Sequence, residues 1–245
     1  MRGRLRIVGI GPGDPSVRTF RAVEAIKESE VVVGYETYIG LIKDLLEGKE
    51  VIPAKMRQEI FRAEISISKA LEGRKVALVS DGDPNVYGMA PLVFELMAKR
   101  GVEVDVEVIP GVTAALAAAA KLGAPLGSDF AVINLSDLLT PREAILRRVN
   151  AAAEADFVLV FYNPIDSGLT KAALEVVRSV RGDSTPVGLV KNAYRQGEEV
   201  RITALGEVDM DWIDMRTTII VGNSETFTWR GYLITPRGYS NKYRL

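Results

Sequence analysis

Short apolar, β-branched runs recur along this chain of 245 residues, each followed by a turn rich in breakers and then a longer amphipathic stretch. That alternation narrows the fold most, because strands separated by helix-length segments pair in parallel and carry helices on both faces of the sheet. In the first half the spacing predicts strands over 5–9, 31–34, 50–52, 76–80 and 104–109, and helices over 18–28, 38–46, 58–71 and 91–99. The stretch 122–129 then breaks the pattern with Gly, Pro and no periodicity. The second half restarts with strands over 130–135, 157–162, 187–190, 200–203 and 217–221, and helices over 141–153 and 170–180. Its last runs, 198–203 and 232–234, lie close enough together for antiparallel pairing. The expected fold class is α/β: two α/β domains, 1–122 and 129–245, joined by a linker over 123–128, with a cleft between them.

Composition removes several kinds of chemistry. The chain has no cysteine and no histidine, so disulfides, thiolate nucleophiles, imidazole metal sites and Ser-His-Asp triads are all excluded. Proton transfer falls to Asp, Glu, Lys, Tyr, water or the substrate itself. No dense acidic cluster points to a carboxylate metal site, so no metal is expected. A formal net charge of -1 offers no electrostatic footprint for nucleic acid. The apolar run 5–10 is too short for a signal-peptide core or a bilayer span, and the Ala-rich stretch 114–120 reads as a helix of small residues. A cytoplasmic protein with no membrane partner is expected.

Three glycine-bearing loops end predicted strands. In Gly9-Ile10-Gly11-Pro12-Gly13-Asp14-Pro15, a dinucleotide fingerprint would need its third glycine where Asp14 stands, and a carboxylate there repels a pyrophosphate. Glu36, about 20 residues on, is the one feature that favours a ribose-binding acid. The simpler reading has Asp14 capping a helix that Pro15 opens. Ser80-Asp81-Gly82-Asp83-Pro84-Asn85-Val86-Tyr87-Gly88 places carboxylates and bare backbone where open α/β sheets bind ligands, and suits hydroxyls, an ammonium or a positive sulfur. It is equally an Asp-rich turn feeding a helix. In Pro110-Gly111-Val112-Thr113-Ala114, small residues admit close approach, and Thr113 doubles as a cap.

Taken in order, these three loops resemble the tetrapyrrole (corrin/porphyrin) methyltransferase family. The second half, through Leu135-Ser-Asp-Leu-Leu-Thr-Pro141, Phe161-Tyr-Asn-Pro164, Val187-Gly-Leu-Val-Lys-Asn-Ala193, Thr217-Thr-Ile-Ile-Val-Gly-Asn-Ser224 and Thr235-Pro-Arg-Gly-Tyr239, resembles the branch that methylates carbon 17 of precorrin-3B, with ring contraction. The resemblance implies a homodimer, S-adenosylmethionine as methyl donor and a tetrapyrrole substrate, metal-free or cobalt-bearing. It places cofactor contacts at Pro12, Asp81, Gly82, Asp83, Val86, Thr113, Ala114, Asn163, Ala193 and Thr218. An electron-rich macrocycle can attack the methyl sulfonium without a strong enzymic base, which suits a chain lacking His and Cys; orientation and desolvation then carry the rate.

Ring contraction also moves protons, for which Asp83, Tyr87, Ser128, Asp137 and Lys191 are the candidates. Ser128 stands where family members often have His, in Leu-Gly-His-Asp-Phe. The substrate's carboxylates call for cations, with Lys55, Arg57, Arg142, Lys191 and Arg237 as candidates and an exposed surface charge as the alternative for each. Asp137 and Thr140 also read as turn and cap groups before the helix at Pro141. Three alternatives stand beside this reading: a sister methyltransferase (for another corrin position, a diphthine synthase or a ribosomal-RNA ribose methyltransferase), a nucleotide-dependent oxidoreductase, and a tetrapyrrole carrier.

Overall fold

The computed structural model describes residues 3–244. Their contacts divide into two compact units, one ending at Ala114 and the other beginning at Ala115.

The first unit carries strands β1 (Arg4–Gly9), β2 (Val31–Tyr35), β3 (Glu50–Ala54), β4 (Lys75–Ser80) and β5 (Asp105–Ile109). They form one sheet in the order β3-β2-β4-β1-β5, parallel throughout. Four helices cover it: α1 (Phe20–Lys27), α2 (Glu36–Leu41), α3 (Glu59–Leu71) and α4 (Ala90–Arg100). Alternation along β1 explains the layering. Leu5 and Ile7 pack with Ala63 and Ile67 of α3 and Val93 of α4. Val8 and Ile10 join Ala22 and Ile26 of α1 and Ile39 of α2 on the opposite face. Central strands buried on both sides call for apolar residues at nearly every position. Strand β4 keeps an unbroken run over 76–79, whereas β1 is interrupted by the buried Arg6, whose guanidinium pairs with Glu28 at 2.6 Å and Glu107 at 3.3 Å.

Boundaries moved where side chains took over. The spacing predicts a helix from residue 18, but Thr19 caps α1 by accepting from the Ala22 N–H at 3.2 Å. Arg18 is held outside the helix, its guanidinium donating to the Leu41 carbonyl at 2.9 Å and pairing with Asp44 at 3.2 Å. Asp14 does cap the turn that Pro15 opens, accepting from the Ser16 N–H at 2.8 Å.

The second unit holds α5 (Ala114–Leu122) beyond its first residue, then β6 (Gly123–Ala124), β7 (Phe130–Asn134), α6 (Arg142–Glu154), β8 (Val158–Tyr162), α7 (Ser167–Arg181), β9 (Pro186–Lys191), β10 (Glu199–Ala204), β11 (Thr217–Val221), β12 (Phe227–Trp229) and β13 (Tyr232–Ile234). Its main sheet runs β10-β9-β11-β8-β7. The β7–β8 pair is parallel, and β11 is antiparallel to both β8 and β9. The runs expected to pair antiparallel, 198–203 and 232–234, do so with β9 and with β12 and not with each other. Helices α6 and α7 bury Ile145, Val149, Leu169, Ala173 and Val177 against Leu159, Phe161, Leu189 and Ile219 of the sheet.

The stretch 123–128, expected as a linker, is built into this unit. Gly123 and Ala124 form β6, parallel to β13, and a Cβ at Gly127 would lie 2.0 Å from the Thr235 carbonyl oxygen. A two-residue strand is too short for any period to reveal. Residues 1, 2 and 245 of the expected domain spans lie outside the described residues.

Candidate cofactor and substrate site

Strands β4, β1 and β5 are neighbours in the first sheet, so the three glycine loops that leave their carboxyl ends meet at one edge. The connections from β1 and β4 run to opposite faces, which makes this edge the switch point where open α/β sheets bind ligands. The backbone ties the loops together. The Ile10 N–H donates to the Ser80 carbonyl at 3.0 Å and the Gly11 N–H to the Gly82 carbonyl at 3.1 Å. The Asp83 carboxylate accepts from the Asn85 N–H at 2.8 Å and from the Gly111 N–H at 3.1 Å. Asp81 accepts from the Gly82 N–H at 2.8 Å.

Only glycine fits where these loops touch. A Cβ on Gly111 would lie 2.1 Å from the Gly82 carbonyl oxygen and 2.7 Å from the Gly9 carbonyl carbon. Gly82 itself has φ +56, a left-handed conformation that costs glycine nothing. The edge therefore brings together Pro12, Asp81, Gly82, Asp83, Val86 and Thr113, with Ala114 next in the chain. Tyr87 is there too, half exposed and at φ 55. Lys55 and Arg57 follow β3 at the same edge and are exposed.

The three loops themselves are acidic. Residues 9–15, 80–89 and 110–114 contain Asp14, Asp81 and Asp83 and no Lys or Arg. Such a surface favours an ammonium or sulfonium and opposes a pyrophosphate. Asp14, standing where a dinucleotide fingerprint would need glycine, caps the turn that Pro15 opens, and Glu36 is the first residue of α2.

In the second unit, the register aligns the ends of four strands. Asn134 pairs with Tyr162 across β7–β8, and Lys191 pairs with Thr217 across β9–β11. Asn163, Thr218 and Ala193, two residues past the end of β9, therefore lie along one edge. Asn163 has φ 52 and donates through Nδ2 to Asn134 Oδ1 at 3.1 Å, while its backbone carbonyl accepts from the Ile165 N–H at 2.7 Å. The Tyr162 hydroxyl accepts from the Ala115 N–H in the first turn of α5. Lys191, 12% exposed, pairs with Asp214 at 3.4 Å and lies 4.3 Å from the Trp212 ring centroid.

The remaining candidates separate. Asp137, in the loop after β7 at this edge, pairs with Arg142 at 3.3 Å. Arg142 also binds Asp166 at 3.0 Å, so its charge is already shared between two carboxylates. Ser128 precedes β7 and lies at the opposite edge, about 20 Å from Asn134 by strand rise. Arg237 is exposed beyond β13. Asn134 and Asp214 escaped sequence reading. Asn134 did leave a signal, as a polar residue closing an apolar run at a strand's carboxyl end. Among the described residues no group of three or more His, Cys, Asp or Glu could hold a metal, and no helix is long and apolar enough to cross a membrane.

Asp214 carries a pH prediction. The Arg216 side chain and backbone and the Lys191 ammonium lower its pKa from 3.8 to about 2, against the effect of burial. A depressed carboxylate stabilises the fold above its unfolded value and loses that contribution as pH falls through the folded one. Asp214→Asn should therefore shrink the loss of stability between pH 4 and pH 2, by less than about 1 kcal/mol because the group is a third exposed. Acid melts of equal slope for both chains would contradict this.

The family model described as Tetrapyrrole (Corrin/Porphyrin) Methylases matches residues 4–209. The chain is 47% identical over 239 residues to a probable cobalt-factor III C(17)-methyltransferase of Salmonella typhimurium, covering 96% of this chain and 99% of that one. It is also 47% identical to the cobalamin biosynthesis protein CbiHC of Archaeoglobus fulgidus, spanning 100% of this chain but 54% of the relative. The crystal structure of the methyltransferase CobJ superposes with a TM-score of 0.90 at 35% identity, over 96% of this chain and 100% of that one. A uroporphyrin-III C-methyltransferase from Thermus thermophilus, complexed with S-adenosylhomocysteine, does so with a TM-score of 0.65 at 25% identity, over 90% and 97% of the two chains.

Proposed function

Because this chain belongs to the tetrapyrrole (corrin/porphyrin) methylase family, we propose that it is an S-adenosylmethionine-dependent C-methyltransferase of cobalamin biosynthesis. Its reaction is methylation of carbon 17 of precorrin-3B or of the cobalt-bearing equivalent, with ring contraction. The observation that carries the donor assignment is the meeting of three loops that bear Asp14, Asp81 and Asp83 and no Lys or Arg of their own. When bound, S-adenosylmethionine supplies an electrophilic methyl group on a sulfonium.

The chain's own residues then have distinct tasks. Backbone groups of 81–83 and 111–114 hold the donor, with Asp81 and Val86 beside them. Asn163, Ala193 and Thr218 offer a side-chain amide, a backbone edge and a hydroxyl to its other parts. Lys55, Arg57 and Lys191 are the cations proposed for the substrate's carboxylates. Tyr87, exposed beside the donor loops, is the best placed of the proton-transfer candidates; Ser128 has the weakest case, since it lies at the far edge of its sheet.

The reaction is placed in the cytoplasm, where a chain without cysteine forgoes nothing by lacking disulfides. A homodimer is proposed as the working form. Phe227, Trp229 and Tyr232 stand half exposed on β12–β13, an apolar face that a second copy would cover.

Anaerobic incubation with S-adenosylmethionine and either macrocycle, read by mass, should add one methyl group and release S-adenosylhomocysteine. Light scattering on the same preparation should give twice the chain mass. No methyl gain on either macrocycle would refute the proposed reaction.

A further inference from the structure

We propose that Asp83 is a positioning residue, which shapes the donor-binding edge by clamping two loops together and does not carry protons. This rests on the donor assignment above. Its two carboxylate oxygens are each committed to a backbone N–H, one from Asn85 at 2.8 Å and one from Gly111 at 3.1 Å. The first bond closes the turn of its own loop. The second reaches 28 residues along the chain to the loop after β5.

Gly111 is where that clamp matters most. It lies in contact with Gly82 and Gly9, and Thr113 and Ala114 follow directly. A displacement of the Gly111 N–H moves every backbone group of that loop that the donor would meet. An ionised carboxylate is acceptor-only, which suits two N–H partners. A protonated Asp83 would set an O–H beside an N–H and loosen one loop or the other. A group in that position cannot cycle through its acid form during turnover without disturbing the donor's own binding surface.

Asp83→Asn tests this, because the amide keeps the shape but replaces one acceptor with a donor facing an N–H. Calorimetry with S-adenosylhomocysteine should show Kd raised about tenfold or more, the loss of roughly one charge-assisted hydrogen bond. In turnover, KM for S-adenosylmethionine should rise in step. At saturating donor, kcat should fall less than about threefold, with its pH profile unchanged in shape. A kcat that collapses while Kd stays put, or a limb lost from the pH profile, would make Asp83 a proton carrier and overturn the clamp.

A second measurement needs no variant. The Gly111 amide of the native chain should exchange with solvent slowly before any ligand is added, and exchange as fast as an open loop would also overturn the proposal. Absence of S-adenosylhomocysteine binding by the native chain sinks the donor assignment itself. Equal binding by the native and Asp83→Asn chains sinks only the clamp.

Discussion

Gly111→Ala is expected to abolish measurable binding of S-adenosylhomocysteine and to lower stability by about 3 kcal/mol, the upper end of what overpacking costs. The added Cβ would meet the Gly82 carbonyl oxygen at 2.1 Å and the Gly9 carbonyl carbon at 2.7 Å. Both are backbone atoms at the ends of central strands, so no rotamer change relieves the clash. Relief has to come from moving the loop after β5 away from the loops after β1 and β4. That motion pulls the Gly111 N–H off Asp83 and shifts Thr113 and Ala114 with it. The effect on binding should therefore exceed what the stability loss alone produces. A variant that melts normally and binds S-adenosylhomocysteine with native Kd would mean that the three loops do not form one binding surface.

The fold was legible because its strongest signals are periodic. The buried strands β4 and β8 read as unbroken apolar runs over 76–79 and 158–162, and α3 and α7 show clear amphipathic spacing. What escaped was set by tertiary contacts. Gly123–Ala124 is a strand only because β13 offers it a partner, and α1 starts after a Thr19 cap because the Arg18 side chain is turned aside to the Leu41 carbonyl and Asp44.

Within the site, the glycine loops announced themselves by composition, whereas their mutual contact depended on strand order. Nothing in the spacing of residues 9, 82 and 111 says that β4, β1 and β5 are adjacent. The same holds for the second unit. Asn163 was singled out through family resemblance, but its partner Asn134 becomes visible only when β7 and β8 are laid side by side. Ser128 illustrates the reverse. It drew notice by departing from a family pattern, and the register of β7 puts it at the far edge from Asn163, Ala193 and Thr218.

That separation of edges leads to a paired prediction. At the edge away from Asn163, Arg181 ends α7 with its guanidinium donating to the carbonyls of Phe157 at 2.6 Å, Gly222 at 2.7 Å, Ala153 at 3.2 Å and Ala152 at 3.3 Å. Burial pushes its pKa below the usual arginine value, while Asp156 nearby works the other way. The residue satisfies the carboxyl end of α6 and the chain entering β8 and leaving β11. Arg181→Met fills the space but strands those carbonyls away from water, at a cost of about 3 kcal/mol. Its affinity for S-adenosylhomocysteine should stay within about twofold of native, since the whole length of the strands separates it from the donor edge.

Asn163→Gly should do the opposite. Glycine keeps the positive φ that alanine would strain, so the change removes the amide and its bond to Asn134 without a backbone penalty. Stability should move by no more than about 1 kcal/mol, while Kd for S-adenosylhomocysteine rises about tenfold. Denaturant midpoints and calorimetry on the two variants give four numbers, and the claim requires them to cross. If both variants lose stability and affinity together, the two edges are not separable and the assignment of Asn163 to the donor fails.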